Sequence, residues 1–167
     1  YVVADQIDGL RLSDVVAIAR SEAVSLDVNV ALQLVREILP ALSVLHGSRN
    51  VPHGAIGLDR LVLPHNGRVV MVDHGLGLAL EKLKYPRTRL WKDFRIPMPP
   101  TAGLPRFDAR SDIGAVAIVL LELLLQRPLT LNEFPDGLRK VLESLQERTP
   151  TGGLRAVSAP LRAWLER

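Results

Sequence analysis

The stretch SDIGAVAIVLLELLLQRP, residues 111–128, decides the fold of this chain. From Ile113 to Leu125 it runs for 13 residues with one charged side chain, Glu122, and Ser111 precedes it as a candidate N-cap. A helix that is apolar nearly all round is buried, because a surface helix keeps a polar face. The run is shorter than the roughly 18 to 20 residues that a bilayer-crossing helix needs. We therefore expect the central buried helix of a globular domain at 112–126.

The composition of the whole chain agrees with a helical core. The 167 residues are 47% hydrophobic but only 4% aromatic, and 30 of them are leucine. An aliphatic, leucine-rich core favours packing of helices on helices over a β-sandwich or a β-barrel. The length lies within the range of roughly 100 to 200 residues that is usual for one domain. The sequence therefore predicts a mainly α fold with residues 1–167 in a single domain.

Cysteine usage and charge exclude several kinds of function. The chain has no cysteine, which excludes disulfides, thiol catalysis and cysteine-bound zinc, and which agrees with a reducing compartment. Residues 1–9, YVVADQIDG, lack the basic start of an export signal, so we expect a cytoplasmic protein with no membrane segment in this chain. The net charge of +3 is too small to predict a nucleic-acid partner.

Weaker signals on both sides of the central helix predict the remaining elements. Asn66 and Gly67 between two short apolar runs favour a tight β-hairpin over 61–72. The segment from Asp73 to Arg110 shows no sustained period and is predicted to be mostly loop. The other predictions are a strand end in 1–9 that breaks at Asp8-Gly9, a helix at 13–20 capped by Ser13, a long helix from Asp27 to Gly47 kinked at Pro40, and two weaker helices at 138–147 and 159–167.

Four segments resemble, in order and spacing, the carboxy-terminal lobe of a eukaryotic-type protein kinase. They are YVVADQIDGLRLSDVV (1–16), LQLVREILPALSVLHGSRNVPHGAIGLDRLVL (32–63), GRVVMVDHGLGLAL (67–80) and the 111–128 stretch. The resemblance implies a helical lobe with a small hairpin, a hinge at 1–9, a catalytic loop at 53–60 and an activation segment at 73–101. It also implies that the amino-terminal lobe is absent from this chain, so we expect a fragment of a longer protein.

The catalytic residues of that family are not kept. The family's loop has the pattern H-R-D-x-K-x-x-N, in which the Asp accepts the substrate proton and the Asn holds magnesium. Here the matching residues are His53-Gly-Ala-Ile-Gly-Leu-Asp-Arg60, so Ala55, Gly57 and Arg60 occupy the positions of the base, the lysine and the asparagine. We therefore expect no catalytic residue in this loop. Asp112 matches the family's buried aspartate that bonds the backbone of the loop.

Asp73 is the one candidate metal ligand, because Asp73-His74-Gly75 resembles the family's Asp-Phe-Gly motif. A single carboxylate without its partner ligand makes a weak magnesium site. The alternative is that Asp73 ends a strand and hydrogen-bonds nearby backbone amides. The family closes its activation segment with a Pro-Glu pair, for which the nearest match is Pro99-Pro100-Thr101. No cofactor is expected for this chain, and ATP and magnesium enter only if the missing lobe is competent.

Residues 81–95 concentrate positive charge, with six basic side chains against Glu81 and Asp93. Two interpretations remain open: a dock for another protein with an acidic surface or for a phosphate group, or a solvated loop anchored by Tyr85, Trp91 and Phe94. The candidate partner-binding residues are Lys82, Lys84, Arg87, Arg89, Lys92 and Arg95.

The resemblance and the departures together predict a degenerate, pseudokinase-like lobe that acts as a binding or regulatory module and is not catalytic. The alternative, from the enzyme class, is part of an active ATP-dependent serine/threonine protein kinase with atypical catalytic residues. In that case Asp73 would hold magnesium and Asp59 would replace the missing base.

Overall fold

A computed structural model describes residues 6–48, 50–98, 103–148 and 153–166, which form seven helices and five short strands within those ranges. The helices are α1 (Leu12–Ser21), α2 (Val28–Ser48), α3 (Leu76–Lys82), α4 (Arg87–Phe94), α5 (Ala109–Leu125), α6 (Leu138–Glu143) and α7 (Ala159–Leu165). The strands are β1 (Gly9–Arg11), β2 (Leu61–Pro64), β3 (Val70–Met71), β4 (Gln146–Arg148) and β5 (Leu154–Ala156). The mainly α prediction is confirmed.

Helices α2 and α5 form the centre of the fold. Both contribute to one hydrophobic cluster, in which Ile38 of α2 and Leu120 of α5 are each 1% exposed. Pro40 lies inside α2, and α2 continues through it as one helix, as predicted. The part of α2 from Val28 to Gly47 is long and apolar enough, by length and composition, to cross a membrane. The side of α2 that carries Val35, Ile38 and Leu42 packs in the core, while Val30, Leu39 and Val44 are exposed, so 22% of its most apolar window is buried.

Helix α5 begins earlier than predicted because its cap is Asp108. The Asp108 carboxylate accepts a hydrogen bond from the Ser111 amide at 2.9 Å, and the Ser111 hydroxyl accepts one from the Asp108 amide at 3.0 Å. This reciprocal pair is a capping box, which places Ser111 in the first turn and not at the N-cap. Similarly, Ser13 lies inside α1, whose N-cap is Arg11.

The predicted hairpin is confirmed and gains a third strand. β2 pairs antiparallel with β3, and the Gly67 amide closes the turn on the Pro64 carbonyl at 3.0 Å. β1 pairs with the other edge of β2, so Gly9 belongs to a strand and the predicted break at Asp8-Gly9 is wrong. A Cβ on Gly9 would lie 2.6 Å from the Leu63 carbonyl oxygen, which explains a glycine within this strand. Residues 1–5 of the predicted hinge lie outside the described residues.

The segment predicted to be loop contains α3 and α4. Both are short, and they pack through a cluster that joins Leu80 and Leu90 to Ala55 of the 53–60 loop. Near the carboxy-terminal end, α6 stops at Glu143, and residues 146–148 pair with β5 instead of extending the helix. α7 agrees with the predicted helix at 159–167.

Candidate functional site

Asp112 of α5 holds the 53–60 loop in place through hydrogen bonds to the loop backbone. Its two carboxylate oxygens accept hydrogen bonds from the backbone amides of His53 at 2.7 Å and Gly54 at 2.8 Å. His46, near the end of α2, places its Nε2 2.7 Å from the same carboxylate. Asp112 is 1% exposed, so these bonds are shielded from water. The predicted role of Asp112 in bonding the loop backbone agrees with this geometry.

The side chain of His53, the first residue of the loop, is buried in the interior. It is 1% exposed, and burial lowers its pKa, although Asp112 acts in the opposite direction. The Ala55 amide donates to His53 Nδ1 at 3.3 Å, which is consistent with a neutral ring. The buried His53 ring therefore accepts a hydrogen bond from the backbone of its own loop.

Ala55 and Gly57 bring no polar side chain to the loop. Ala55 is 1% exposed and packs in the cluster that contains Leu80 and Leu90. Its methyl group has no lone pair with which to accept a proton. Gly57 is also buried, and it precedes a 3-10 turn over Leu58–Arg60.

Arg60 turns its guanidinium into the protein. It is 8% exposed, and its Nη2 donates to the carbonyl oxygen of Phe94, the last residue of α4, at 2.8 Å. Burial lowers the pKa of Arg60, while the carboxylates of Asp59 and Asp73 act in the opposite direction. The positively charged guanidinium of Arg60 therefore lies in the interior next to the loop. A guanidinium has no acceptor for a metal ion and repels one at close range.

Asp73 lies exposed at the end of the hairpin, with a left-handed backbone at φ 61°. Its carbonyl oxygen accepts a hydrogen bond from the Leu76 amide at 3.2 Å. Within the part of the chain that the structure describes, no three histidine or acidic side chains are grouped to hold a metal ion. The resemblance places Arg60 where the family has its second magnesium ligand, and a guanidinium offers no lone pair to a metal ion, so magnesium in that arrangement does not fit these residues.

The six basic residues of 81–95 divide into two groups. Arg87 donates to the Leu104 carbonyl at 2.9 Å and Arg95 to the Leu129 carbonyl at 3.1 Å, so these two arginines hold the segment to the rest of the lobe. The other four are exposed, and Arg89 among them pairs with Asp93 at 2.8 Å. We call these four the basic surface: Lys82, Lys84, Arg89 and Lys92.

Aromatic rings anchor this segment from its inner side. Trp91 is 7% exposed, and its ring centroid lies 4.7 Å from that of Phe134. The Arg95 guanidinium covers the Trp91 ring at 5.2 Å. Tyr85 and Phe94 meet edge to face at 5.2 Å. The anchoring assigned to the aromatics in the second interpretation of 81–95 is therefore present, and it coexists with an exposed basic surface.

Sequence reasoning missed a cleft of about 680 Å³ between α1, the 58–60 turn and the end of α5. Glu122 lines it, although the side chain is only 6% exposed, and accepts a hydrogen bond from the Leu129 amide at 2.9 Å. Burial raises the pKa of Glu122 to about 7 against the opposing effects of that amide and of Arg95. The available signal was the one carboxylate in an otherwise apolar helix. The other charged side chains around the cleft are Arg20, Asp59, Arg95 and Arg127.

Comparison with known proteins shows which proteins this chain is similar to. No protein-family profile matches the chain. Human serine/threonine-protein kinase PAK 4 is 29% identical over 170 residues, covering 100% of this chain and 27% of that protein. Serine/threonine-protein kinase pak-2 of Caenorhabditis elegans is 28% identical over 150 residues, covering 89% of this chain and 27% of that protein. The kinase domain of maize SIRK1, solved with AMP-PNP, superposes with a TM-score of 0.57 at 23% identity, covering 74% of this chain and 44% of that one.

This chain has a protein-kinase-like carboxy-terminal lobe. The kinase-like lobe spans about a quarter of the length of the curated relatives quoted above. In it, the 53–60 loop lies over Asp112, and α3 and α4 lie in the segment that the resemblance assigns to activation. Residues 99–101 of that segment, including the nearest match to the Pro-Glu pair, lie outside the described residues.

Proposed function

We propose that this kinase-like lobe does not transfer phosphoryl groups and works as a binding or regulatory module for another protein. The observation that carries the proposal is the inward turn of Arg60, whose guanidinium bonds the Phe94 carbonyl in the interior. Arg60 matches the family's magnesium-binding asparagine in sequence, and its side chain makes a structural contact instead.

The chemistry of the neighbouring positions supports the same proposal. Phosphoryl transfer to a hydroxyl uses a carboxylate to accept the proton and metal ions to neutralise the developing charge. Ala55 offers no acceptor, and Asp73 stands as a single exposed carboxylate. We accordingly propose no cofactor for this chain, with ATP and magnesium entering only through an amino-terminal lobe able to hold them.

The proposed partner is a protein with an acidic surface, located with this protein in the cytoplasm. The basic surface supports this proposal because it gathers positive charge on a segment whose inner side is anchored by Trp91 and Arg95. An anchored surface loses less conformational entropy on binding than a free loop does. Opposite charges on the two partners would also accelerate their encounter.

The catalytic part of the proposal is tested with the full-length protein, magnesium and radiolabelled ATP. We expect no autophosphorylation and no transfer to generic protein substrates above a blank without enzyme. The matched variant is Asp73→Ala, purified in the same way. Transfer that is present in the wild-type protein and lost in Asp73→Ala would establish an active kinase instead.

The docking part is tested with a fluorescent polyglutamate peptide as the probe. The wild-type protein should bind it at low salt and release it as the salt approaches about 0.3 M, because ions screen exposed charges. The triple variant Lys82→Glu, Lys84→Glu, Lys92→Glu should lose binding. The control Arg68→Glu, Arg106→Glu, Lys140→Glu changes the net charge equally at exposed positions elsewhere. Equal losses in both variants would mean that only net charge matters and would overturn the basic surface as a site.

A further inference from the structure

We propose that Arg60 is a positioning residue that caps the carboxy-terminal end of α4 and so fixes the orientation of Arg89 and Lys92, the two members of the basic surface on that helix. The cap follows from the contacts of Arg60 alone. Its consequence for partner binding rests on the proposed function.

The backbone of Arg60 is held in place by two hydrogen bonds. Its amide donates to the Gly57 carbonyl at 2.9 Å, and its carbonyl accepts from the Val72 amide at 3.0 Å. Both backbone groups are therefore tied, one within the loop and one to the hairpin. From this point the side chain crosses to α4 and donates to the Phe94 carbonyl at 2.8 Å.

The end of α4 needs such a partner. The last carbonyls of a helix have no partner within the helix, and a helix of only 8 residues is not stable by itself in water. The amides of Arg95 and Ile96 turn back to the carbonyls of Trp91 and Leu90, at 3.0 and 3.3 Å. Arg60 satisfies the Phe94 carbonyl, and its positive charge lies favourably at the negative end of the helix dipole.

Arg60 makes this contact at an energetic cost. Its Nη1 is buried and has no hydrogen-bond partner among the described residues. Burying a cation with incomplete bonding is unfavourable. The Phe94 bond and the nearby carboxylates of Asp59 and Asp73 offset that cost. A shorter neutral side chain at this position would remove the cost and the cap together.

The cap joins two parts of the lobe that are 34 residues apart in sequence. The next residue, Arg95, is held by the segment that follows α5, through the Leu129 carbonyl at 3.1 Å. Two consecutive residues at the end of α4 are thus fixed from the loop side and from the α5 side. Lys92 and Arg89 lie on this helix, so their backbone orientation depends on both contacts.

The test measures hydrogen–deuterium exchange of backbone amides in the full-length protein. In Arg60→Gln, amides 90–96 should exchange faster by on the order of tenfold to a hundredfold, because a bond to a charged donor is lost. Arg60→Lys, which keeps one charged donor, should be intermediate. Arg68→Gln, an exposed control with the same charge change, should match the wild type. Amides of α5 should be unaffected in all three variants.

The polyglutamate probe then connects the cap to binding. The affinity of Arg60→Gln for the probe should be lower than that of Arg68→Gln by about threefold or more. A less ordered surface loses more conformational entropy on binding. Exchange at 90–96 that is the same in Arg60→Gln and Arg68→Gln would overturn the cap. If Arg60→Gln also loosens α5, failure of Arg60→Lys to recover protection at 90–96 would overturn it. A wild-type protein that ignores polyglutamate overturns the docking proposal, while the exchange result still decides the cap.

Discussion

Gly77 of α3 lies directly against the backbone of Gly54 in the 53–60 loop. A Cβ on Gly77 would be 2.3 Å from the Gly54 carbonyl oxygen and 2.5 Å from its Cα. Both groups are backbone atoms, which cannot move aside as a flexible side chain can. The loop and α3 therefore meet through a contact that only glycine permits at position 77.

The first prediction is that Gly77→Ala lowers the free energy of unfolding by at least about 2 kcal/mol, because the added methyl group forces the loop and α3 apart. Urea denaturation followed by circular dichroism measures the change. The control is Gly114→Ala in α5, where nothing lies within 4 Å of the new Cβ. That variant should gain about 0.5 to 1 kcal/mol from better helix propensity. Equal stability of Gly77→Ala and wild type would contradict the contact.

The second prediction concerns the support of the loop. Asp112→Asn should destabilise the protein by about 2 to 3 kcal/mol, because an amide offers one oxygen where the carboxylate uses two to accept from His53 and Gly54. Hydrogen–deuterium exchange should localise the loss of protection to the amides of 53–55. Asp136→Asn, at an exposed position, provides the comparison and should change neither quantity. An undisturbed loop in Asp112→Asn would show that other contacts determine its shape.

The third prediction is a pH dependence from Glu122. Burial raises its pKa to about 7 in the folded state, above the ordinary value of 4.5. The folded state thus binds the proton more tightly than the unfolded state, and the contribution of this group to stability is lost as pH rises from about 4.5 to 7. The loss is about 3 kcal/mol in total. Glu122→Gln should remove this pH dependence of the free energy of unfolding. The measurement is the difference in unfolding free energy between the wild-type protein and the variant, followed from pH 5 to 8. Parallel curves would contradict the raised pKa.

The fourth prediction compares the contributions of the two tryptophans to stability. Trp91→Ala should cost about 3 to 5 kcal/mol, because it leaves a cavity beside Phe134 and under the Arg95 guanidinium. Trp164, in α7, is 40% exposed, so Trp164→Ala should cost much less. Thermal unfolding of the two variants makes the comparison. Similar midpoints would mean that Trp91 does not anchor the basic segment.

The sequence was sufficient for the elements with strong local signals. The apolar run in α5 and the Asn66-Gly67 turn between two apolar runs each specify their structure within a few residues. It was insufficient for α3 and α4, which are short and are stabilised by distant contacts. Leu90 is fully buried against the loop side, and nothing near it in sequence reveals that.

Gly9 and Arg60 show a second limit of sequence reasoning. A glycine after an aspartate usually indicates a turn, but Gly9 lies in β1, where the Leu63 carbonyl leaves no room for a Cβ. Arg60 could be recognised as a departure from the kinase catalytic pattern. Its inward direction could not, because an arginine is usually exposed and its partner, Phe94, lies in a helix that the local pattern did not predict.

The Arg60 contact makes two properties of position 60 mutually exclusive. An asparagine there is able to ligate a cation but is too short to reach Phe94, and an arginine reaches Phe94 but excludes the cation. Replacing Arg60 by asparagine to install a cation ligand would therefore release the end of α4 at the same time. A second substitution that satisfies the Phe94 carbonyl from another direction would have to accompany it.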